Sequence, residues 1–327
     1  MKVLTVLDGV KKHLVARVKH QPVWSHVTLL LTFRCNCHCS YCDFPRHAEE
    51  EMDTATIVSL LEKLRKSGTF RLSISGGEPL LRPDLPEILQ AAKRLGFITS
   101  LVSNGMLFEE KLHYLDDVDY YLCTLEGDEK THDEIRGTGA FSSTLAGLQL
   151  VKNSQLGAIG LICPVHLGNI DVLDTPLAIA ETLSAKVFYQ PIQTSQDWRG
   201  PRFDNELSDS QIRETFTKIN SWKKAGLAIG NSDKYLQWMY SGDINKRPFN
   251  CSAGKYFVTI LPDGQVSPCC MLPPTEKMPR ITVNTNLDSL PRLPISACKG
   301  CSIAPYVENS MLYSWDLSTW ANAVRWR

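Results

Sequence analysis

"HVTLLLTFRCNCHCSYC", residues 26–42, joins an apolar run to a loop with four cysteines in eight positions. The run His26–Phe33 has the length and branched content of a buried strand. Behind the loop, "DTATIVSLLEKLRKSG" predicts a helix with an Asp53 or Thr54 cap and a Gly68 stop. The alternation then continues. "FRLSIS", "FITSLVS", "VDYYLCTL", "AIGLICPV" and "AKVFYQPI" read as strands, separated by the helical stretches "LPEILQAAKRLG", "FEEKLHYL", "FSSTLAGLQLVKN" and "TPLAIAETLS". Consecutive β-α units imply parallel strands with right-handed crossovers. Six are too few to close an eight-stranded barrel. The expected fold is therefore α/β, a partial (β/α)6 barrel over residues 25–200 with its site at the C-terminal strand ends.

The flanks differ in character. Residues 1–24 read as an amphipathic helix with Val3, Leu7, Val10, Leu14 and Val18 near helical spacing and a basic opposite face. Such a helix can contact a membrane surface or pack on the main domain. Residues 201–250 form a polar bridge holding one helix, "SDSQIRETFTKINSWKKAG". In residues 251–327, "KYFVTILPDGQVSPCC" predicts a hairpin around Asp263-Gly264. A Pro-rich stretch follows to Cys301, then a tail with Trp315, Trp320 and Trp326.

Formal net charge is zero, which argues against a nucleic-acid partner held by phosphate neutralisation. The N-terminal apolar residues are interrupted by Asp8, Lys11, Lys12 and His13, so no secretory signal is read, and no stretch reaches membrane-spanning length. The expected location is cytoplasmic. Nine of the eleven cysteines fall in two groups, residues 35–42 and 251–301. That distribution points to metal or catalysis rather than disulfides.

Cys35, Cys39 and Cys42 have C-x3-C-x2-C spacing. Three thiolates can hold three irons of a cubane cluster and leave the fourth iron open. A structural zinc ion would need a fourth protein ligand, for which Cys37 and His38 are candidates. One β-α unit later, "SISGGEPLL" (residues 73–81) places Gly76 and Gly77 where backbone can approach a ligand closely.

The cysteine loop, with Tyr41 just before its last cysteine and Gly-Gly-Glu-Pro one unit on, resembles the signature of the radical S-adenosylmethionine (radical SAM) superfamily. The resemblance implies a [4Fe-4S] cluster on Cys35, Cys39 and Cys42, with S-adenosylmethionine on the unique iron and Cys37 not a ligand. It implies reductive cleavage to a 5′-deoxyadenosyl radical that abstracts a substrate hydrogen, fed by an electron donor such as flavodoxin or ferredoxin. Cofactor contacts would come from Tyr41, Gly76, Gly77, Glu78, Pro79, Ser103, Asn104, Thr124 and Arg136. The last would pair with the cofactor carboxylate, or stand as a surface arginine in a loop.

Cys251 and Cys269 flank Gly264 in a C-x12-G-x4-C element, and Cys298 and Cys301 form a C-x2-C pair. By spacing, the four fit a zinc ribbon or an iron–sulfur cluster. The element resembles the opening of SPASM and twitch domains, which implies one auxiliary [4Fe-4S] cluster on Cys251, Cys269, Cys298 and Cys301, with Cys270 the alternative to Cys269.

Cys123 and Cys163 near strand ends are small hydrophobes or, facing the lumen, hydrogen donors to a substrate radical. Glu126, Gln190, Gln193 and Asp197 are positional candidates for acid or base. Three functions are carried forward: oxidation or rearrangement of a small molecule; maturation of a ribosomal peptide by cross-linking or epimerisation; and a non-enzymatic zinc or electron-transfer protein. The short segment before the first strand leaves no room for an added peptide-recognition domain, which favours the small molecule. Gly-Gly-Glu-Pro following the cysteine loop speaks against the non-enzyme.

Overall fold

The computed structural model describes residues 2–47, 50–192, 203–242, 251–272, 275, 278–282, 284–287, 293–295, 298 and 300–313. Helix α1 (Lys2–Val18) precedes β1 (His26–Leu30). The alternation then runs α2 (Thr54–Ser67), β2 (Arg71–Ser75), α3 (Leu85–Arg94), β3 (Ile98–Ser103), α4 (Phe108–Lys111) and β4 (Tyr120–Thr124). It continues with α5 (Glu129–Arg136), α6 (Ala140–Asn153), β5 (Ala158–Val165), α7 (Thr175–Leu183) and β6 (Lys186–Pro191). All six strands pair in parallel with their sequence neighbours.

Local chemistry sets these boundaries. Asp53 caps α2 by accepting from Thr56 N at 2.8 Å, and Gly68, at φ 107°, turns the chain out of it. β1 is shorter than its apolar run because the chain beyond Leu30 serves another purpose. Leu31 N still donates to Ser75 O, but Thr32 and Arg34 carbonyls accept from Gly77 and Glu78 amides, each at 2.8 Å. The cysteine loop is thereby stitched to the Gly-Gly-Glu turn.

Beyond the barrel come α8 (Asp209–Lys224), α9 (Asp233–Ser241), β7 (Phe257–Ile260), β8 (Val266–Ser267) and α10 (Ala304–Tyr313). The sequence reading found α8 and the hairpin but not α5, α9 or α10. The hairpin lies in the barrel's own sheet: β7 pairs with β1 in parallel, giving the order β6-β5-β4-β3-β2-β1-β7-β8. Gly264, at φ 84°, makes its turn, and a Cβ there would come within 2.7 Å of Ile281 O.

Strand period sorts the two faces. Val27, Leu29, Leu72, Ile74, Leu101, Tyr121 and Leu161 are fully buried in the core under the helices. The alternate residues line the concave face, where His26 Nε2 pairs with Ser73 Oγ and Ser73 Oγ with Ser100 Oγ, at 2.9 and 2.8 Å. α10 lies against that face. Asn309 Nδ2 meets His26 Nδ1 at 2.9 Å, Arg71 Nη1 donates to Asn309 Oδ1, and Ala304 N donates to Gln190 Oε1. Among the described residues no helix is long and apolar enough to cross a membrane.

Candidate active site

Four turns meet where the strands end. The cysteine loop follows β1, Gly76–Pro79 follows β2, Ser103-Asn104-Gly105 ends β3, and Leu125–Gly127 follows β4. Glu78 joins two of them from inside. Its buried carboxylate accepts from Leu80 N (3.0 Å), Ser103 Oγ (3.0 and 3.1 Å) and Asn104 N (2.8 Å). Burial pushes Glu78 up to about 7 despite these donors. Asn104 joins a third: its Nδ2 donates to Asn36 Oδ1 at 2.7 Å and lies 3.4 Å from Cys37 Sγ.

The glycines have a different neighbour from the expected ligand. A Cβ on Gly76 would sit 2.3 Å from Thr32 O, and one on Gly77 2.3 Å from Arg34 O. Their bareness is needed for close approach to the backbone that carries the cysteines. Pro79 opens a buried 3-10 turn beside them, and Thr124 ends β4 on the concave side.

Cys35, Cys39 and Cys42 are half-buried on the loop, whereas Cys37 is buried beneath it. The Cys37 thiol is kept protonated by hydrogen bonding with the Cys35 and Cys39 sulfurs, then by burial, and lies 3.5 Å from Met106 Sδ. The same contact with Cys37, aided by Arg136, lowers the Cys39 thiol to about 7 against the effect of burial.

Tyr41 leads to a charged cluster. Its hydroxyl donates to Glu126 Oε1 at 2.5 Å and accepts from Arg136 Nη2 at 2.7 Å, while Arg136 Nε donates to Glu126 Oε1 at 2.9 Å. Burial opposes ionisation of Glu126, but the Arg136 charge, then the nearby His166 ring and the bond from Tyr41, outweigh it and hold the carboxyl at about 2. Arg136 is a buried residue at the end of α5, not a surface arginine in a loop, and Glu126 and Tyr41 engage its Nε and Nη2. Glu126 Oε2 and His166 Nε2, 3.7 Å apart and buried, have no hydrogen-bond partner. Sequence reasoning passed over His166; its signal was "PVHLGN", polar residues just where a barrel strand ends.

Cys123 and Cys163 do not face the lumen. Cys123 pairs across strands with Ser103 and Leu161, and its Sγ lies 3.3 Å from where a Gly105 Cβ would stand. Cys163 is opposite Tyr189, whose hydroxyl donates to Leu173 O under the helices. Strand alternation puts both on the helix side, fully buried, with burial raising their thiols. They are core residues. Gln190 is occupied by the start of α10, and Gln193 and Asp197 lie outside the described residues.

The second cysteine group gathers where the hairpin meets α10. Burial, then neighbouring Cys269, Cys251 and Cys298, push the Cys301 thiol well up. Cys270 lies in the same cluster, with the Tyr306 hydroxyl 2.5 Å from its Sγ. Among the described residues no three His, Cys, Asp or Glu side chains converge as a single ion would require.

Comparison with known proteins decides the family. A family model described as "Radical SAM superfamily" matches residues 29–172. The PqqA peptide cyclase of Gluconobacter oxydans (strain 621H) is 31% identical over 250 residues, 73% of this chain and 68% of that protein. The chain belongs to the radical SAM superfamily. Its fold matches Streptococcus suis SuiB bound to precursor peptide SuiA, at TM-score 0.69 over 85% of this chain and 67% of that one, with 13% identity. It also matches anSMEcpe with bound AdoMet and Kp18Cys peptide, at TM-score 0.64 over 80% of this chain and 79% of that one, with 16% identity. Both likenesses are of fold.

This radical SAM protein is an enzyme, with S-adenosylmethionine and a [4Fe-4S] cluster as cofactors. The residues present suit them. Three half-buried thiols on one loop, beside a fourth that is buried, would suit three irons. Two unpartnered buried polar atoms at adjoining strand ends offer capacity for a polar ligand.

Proposed function

We propose that this enzyme matures a peptide, by cross-linking it or changing a stereocentre. The observation that carries the proposal is the identity to a peptide cyclase across nearly three-quarters of the chain. It outweighs the expectation of a small molecule, which rested on the short segment ahead of β1. Cys35, Cys39 and Cys42 hold the cluster, leaving Cys37 as a thiol. S-adenosylmethionine bound there supplies, on one-electron reduction from a flavodoxin- or ferredoxin-type donor, a carbon-centred radical able to take a hydrogen atom from the peptide. The knitted turns around Glu78 and Asn104 fix the loop, and the Tyr41–Glu126–Arg136 cluster makes a charged, water-poor wall beside it. Cys251, Cys269, Cys298 and Cys301 hold an auxiliary [4Fe-4S] cluster, supported by the nearness of Cys269, Cys251 and Cys298 to Cys301.

The test incubates the anaerobically reconstituted enzyme with reductant, S-adenosylmethionine and a precursor peptide encoded beside its gene. Release of 5′-deoxyadenosine with loss of a hydrogen pair from the peptide, or deuterium uptake from solvent, supports the proposal. Turnover of a small molecule with the peptide untouched overturns it. Iron should be about eight per chain for two four-iron clusters. Cys39→Ser should remove half of it and abolish cleavage, Cys251→Ser should remove the other half, and Cys37→Ser and Cys270→Ser should keep all of it.

A further inference from the structure

Helix α1 is docked by an unexpected face. Its contacts with the body come from small or polar residues. Gly9 lies against the Phe70 ring, where a Cβ would meet Phe70 Cδ1 at 2.3 Å, and Thr5 packs at Gly96. His13 Nδ1 bonds Ser25 Oγ at 2.9 Å, its ring packs on Tyr256 and Tyr313, and Arg17 donates to Tyr313 O. The helix is thus anchored at the N-terminal strand ends, on the side away from the cysteine loop.

Four large apolar residues are left outside. Among the described residues six large hydrophobic side chains are exposed, and four stand on α1: Leu4 (72%), Leu7 (60%), Val15 (45%) and Val18 (81%). Their helical spacing puts them on one stripe with exposed Lys11 at its centre. Of the stripe anticipated from Val3, Leu7, Val10, Leu14 and Val18, Leu7 and Val18 are exposed, whereas Val10 and Leu14 are half-buried. Clustered exposed apolar side chains mark an interaction site. Residues 2–20 also carry five lysines and arginines against one acid, Asp8, in a chain of zero net charge. Beside the stripe, Lys11, Lys12, Val15, Trp24, Leu64 and Leu287 line a cavity of about 560 Å3.

We propose that α1 seats this enzyme on an anionic membrane surface. The stripe enters the boundary between headgroups and acyl chains, the lysines meet anionic headgroups, and the cavity receives a headgroup or chain end. A symmetric contact with a second copy is disfavoured, because it would bring the same basic surface against itself. Anchored at the N-terminal strand ends, α1 leaves the cysteine-loop end of the barrel facing away from the bilayer. The proposal does not depend on the substrate class.

Flotation of the reconstituted full chain with vesicles of phosphatidylcholine, alone or mixed with phosphatidylglycerol, tests it. Binding is expected only with the anionic vesicles, weakening as salt rises. The exposed pair Leu7→Glu/Val18→Glu should reduce it about tenfold or more, with unchanged thermal midpoint and 5′-deoxyadenosine release. Failure of the wild type to float with anionic vesicles, equal binding to neutral ones, or undiminished binding by the variant overturns the proposal. So does a dimer on size-exclusion chromatography, or peptide binding by titration calorimetry, that the same pair abolishes.

Discussion

Glu78 and Glu126 are both fully buried carboxylates at strand ends of one sheet, yet they are held in opposite ways. Glu78, after β2, meets only neutral donors, and burial lifts it to about 7. Glu126, after β4, suffers the same burial, but the Arg136 guanidinium and the Tyr41 hydroxyl hold it at about 2. Hydrogen bonds from neutral groups tolerate a buried carboxylate; a buried cation commits it to its charge. One turn is a neutral brace and the other a charged wall, on either side of the SNG turn at Ser103–Gly105.

The same substitution at the two sites should separate them. Glu126→Gln leaves the Arg136 cation buried without its counter-charge and is expected to cost about 3–5 kcal/mol, read as a lowered midpoint in urea at neutral pH. A cost under about 1 kcal/mol would break the contrast.

A smaller effect appears in the pH dependence. Glu126 lies below its unfolded value of 4.5. Its contribution, about 3 kcal/mol, is present above that value and lost as pH falls toward 2. Glu78 lies above the same reference, so its contribution is present below it and lost as pH rises through 7. Comparing wild type with each Gln variant by chemical denaturation should show the two losses at opposite ends of the scale.

The smallest effect is expected from Glu78→Gln itself. With no buried cation to strand and the parent carboxyl protonated, it should change stability by no more than about 1 kcal/mol at pH 4. It should leave iron content unaltered, since Asn104 still ties the SNG turn to Asn36.

The barrel was legible in the sequence because each unit carries its own periodicity, cap and stop, as with Asp53, Thr56 and Gly68. The cysteine loop and Gly-Gly-Glu-Pro were legible because their spacing is local. What escaped depends on distant partners. Arg136 stood open between a cofactor contact and a surface arginine because its counter-charge, Glu126, becomes its neighbour only when β4 and α5 fold. Cys123 and Cys163 were ambiguous until strand alternation was fixed by pairing. α1 was read from its apolar stripe, whereas close approach at Gly9 and Thr5 decided which face docks. α10 carries buried residues all around rather than on one stripe, so no amphipathic pattern announced it.

The pairing of β7 with β1 bears on how the chain reaches its native state. His26 and Phe257 stand 231 residues apart in the sequence, so their union has high contact order and must await synthesis of β7. The strand that feeds the first cysteine loop therefore spends translation with one edge bare, and gains its last neighbour together with the second cysteine group. Completion of the two cysteine-bearing regions is thus tied to a single late step in folding.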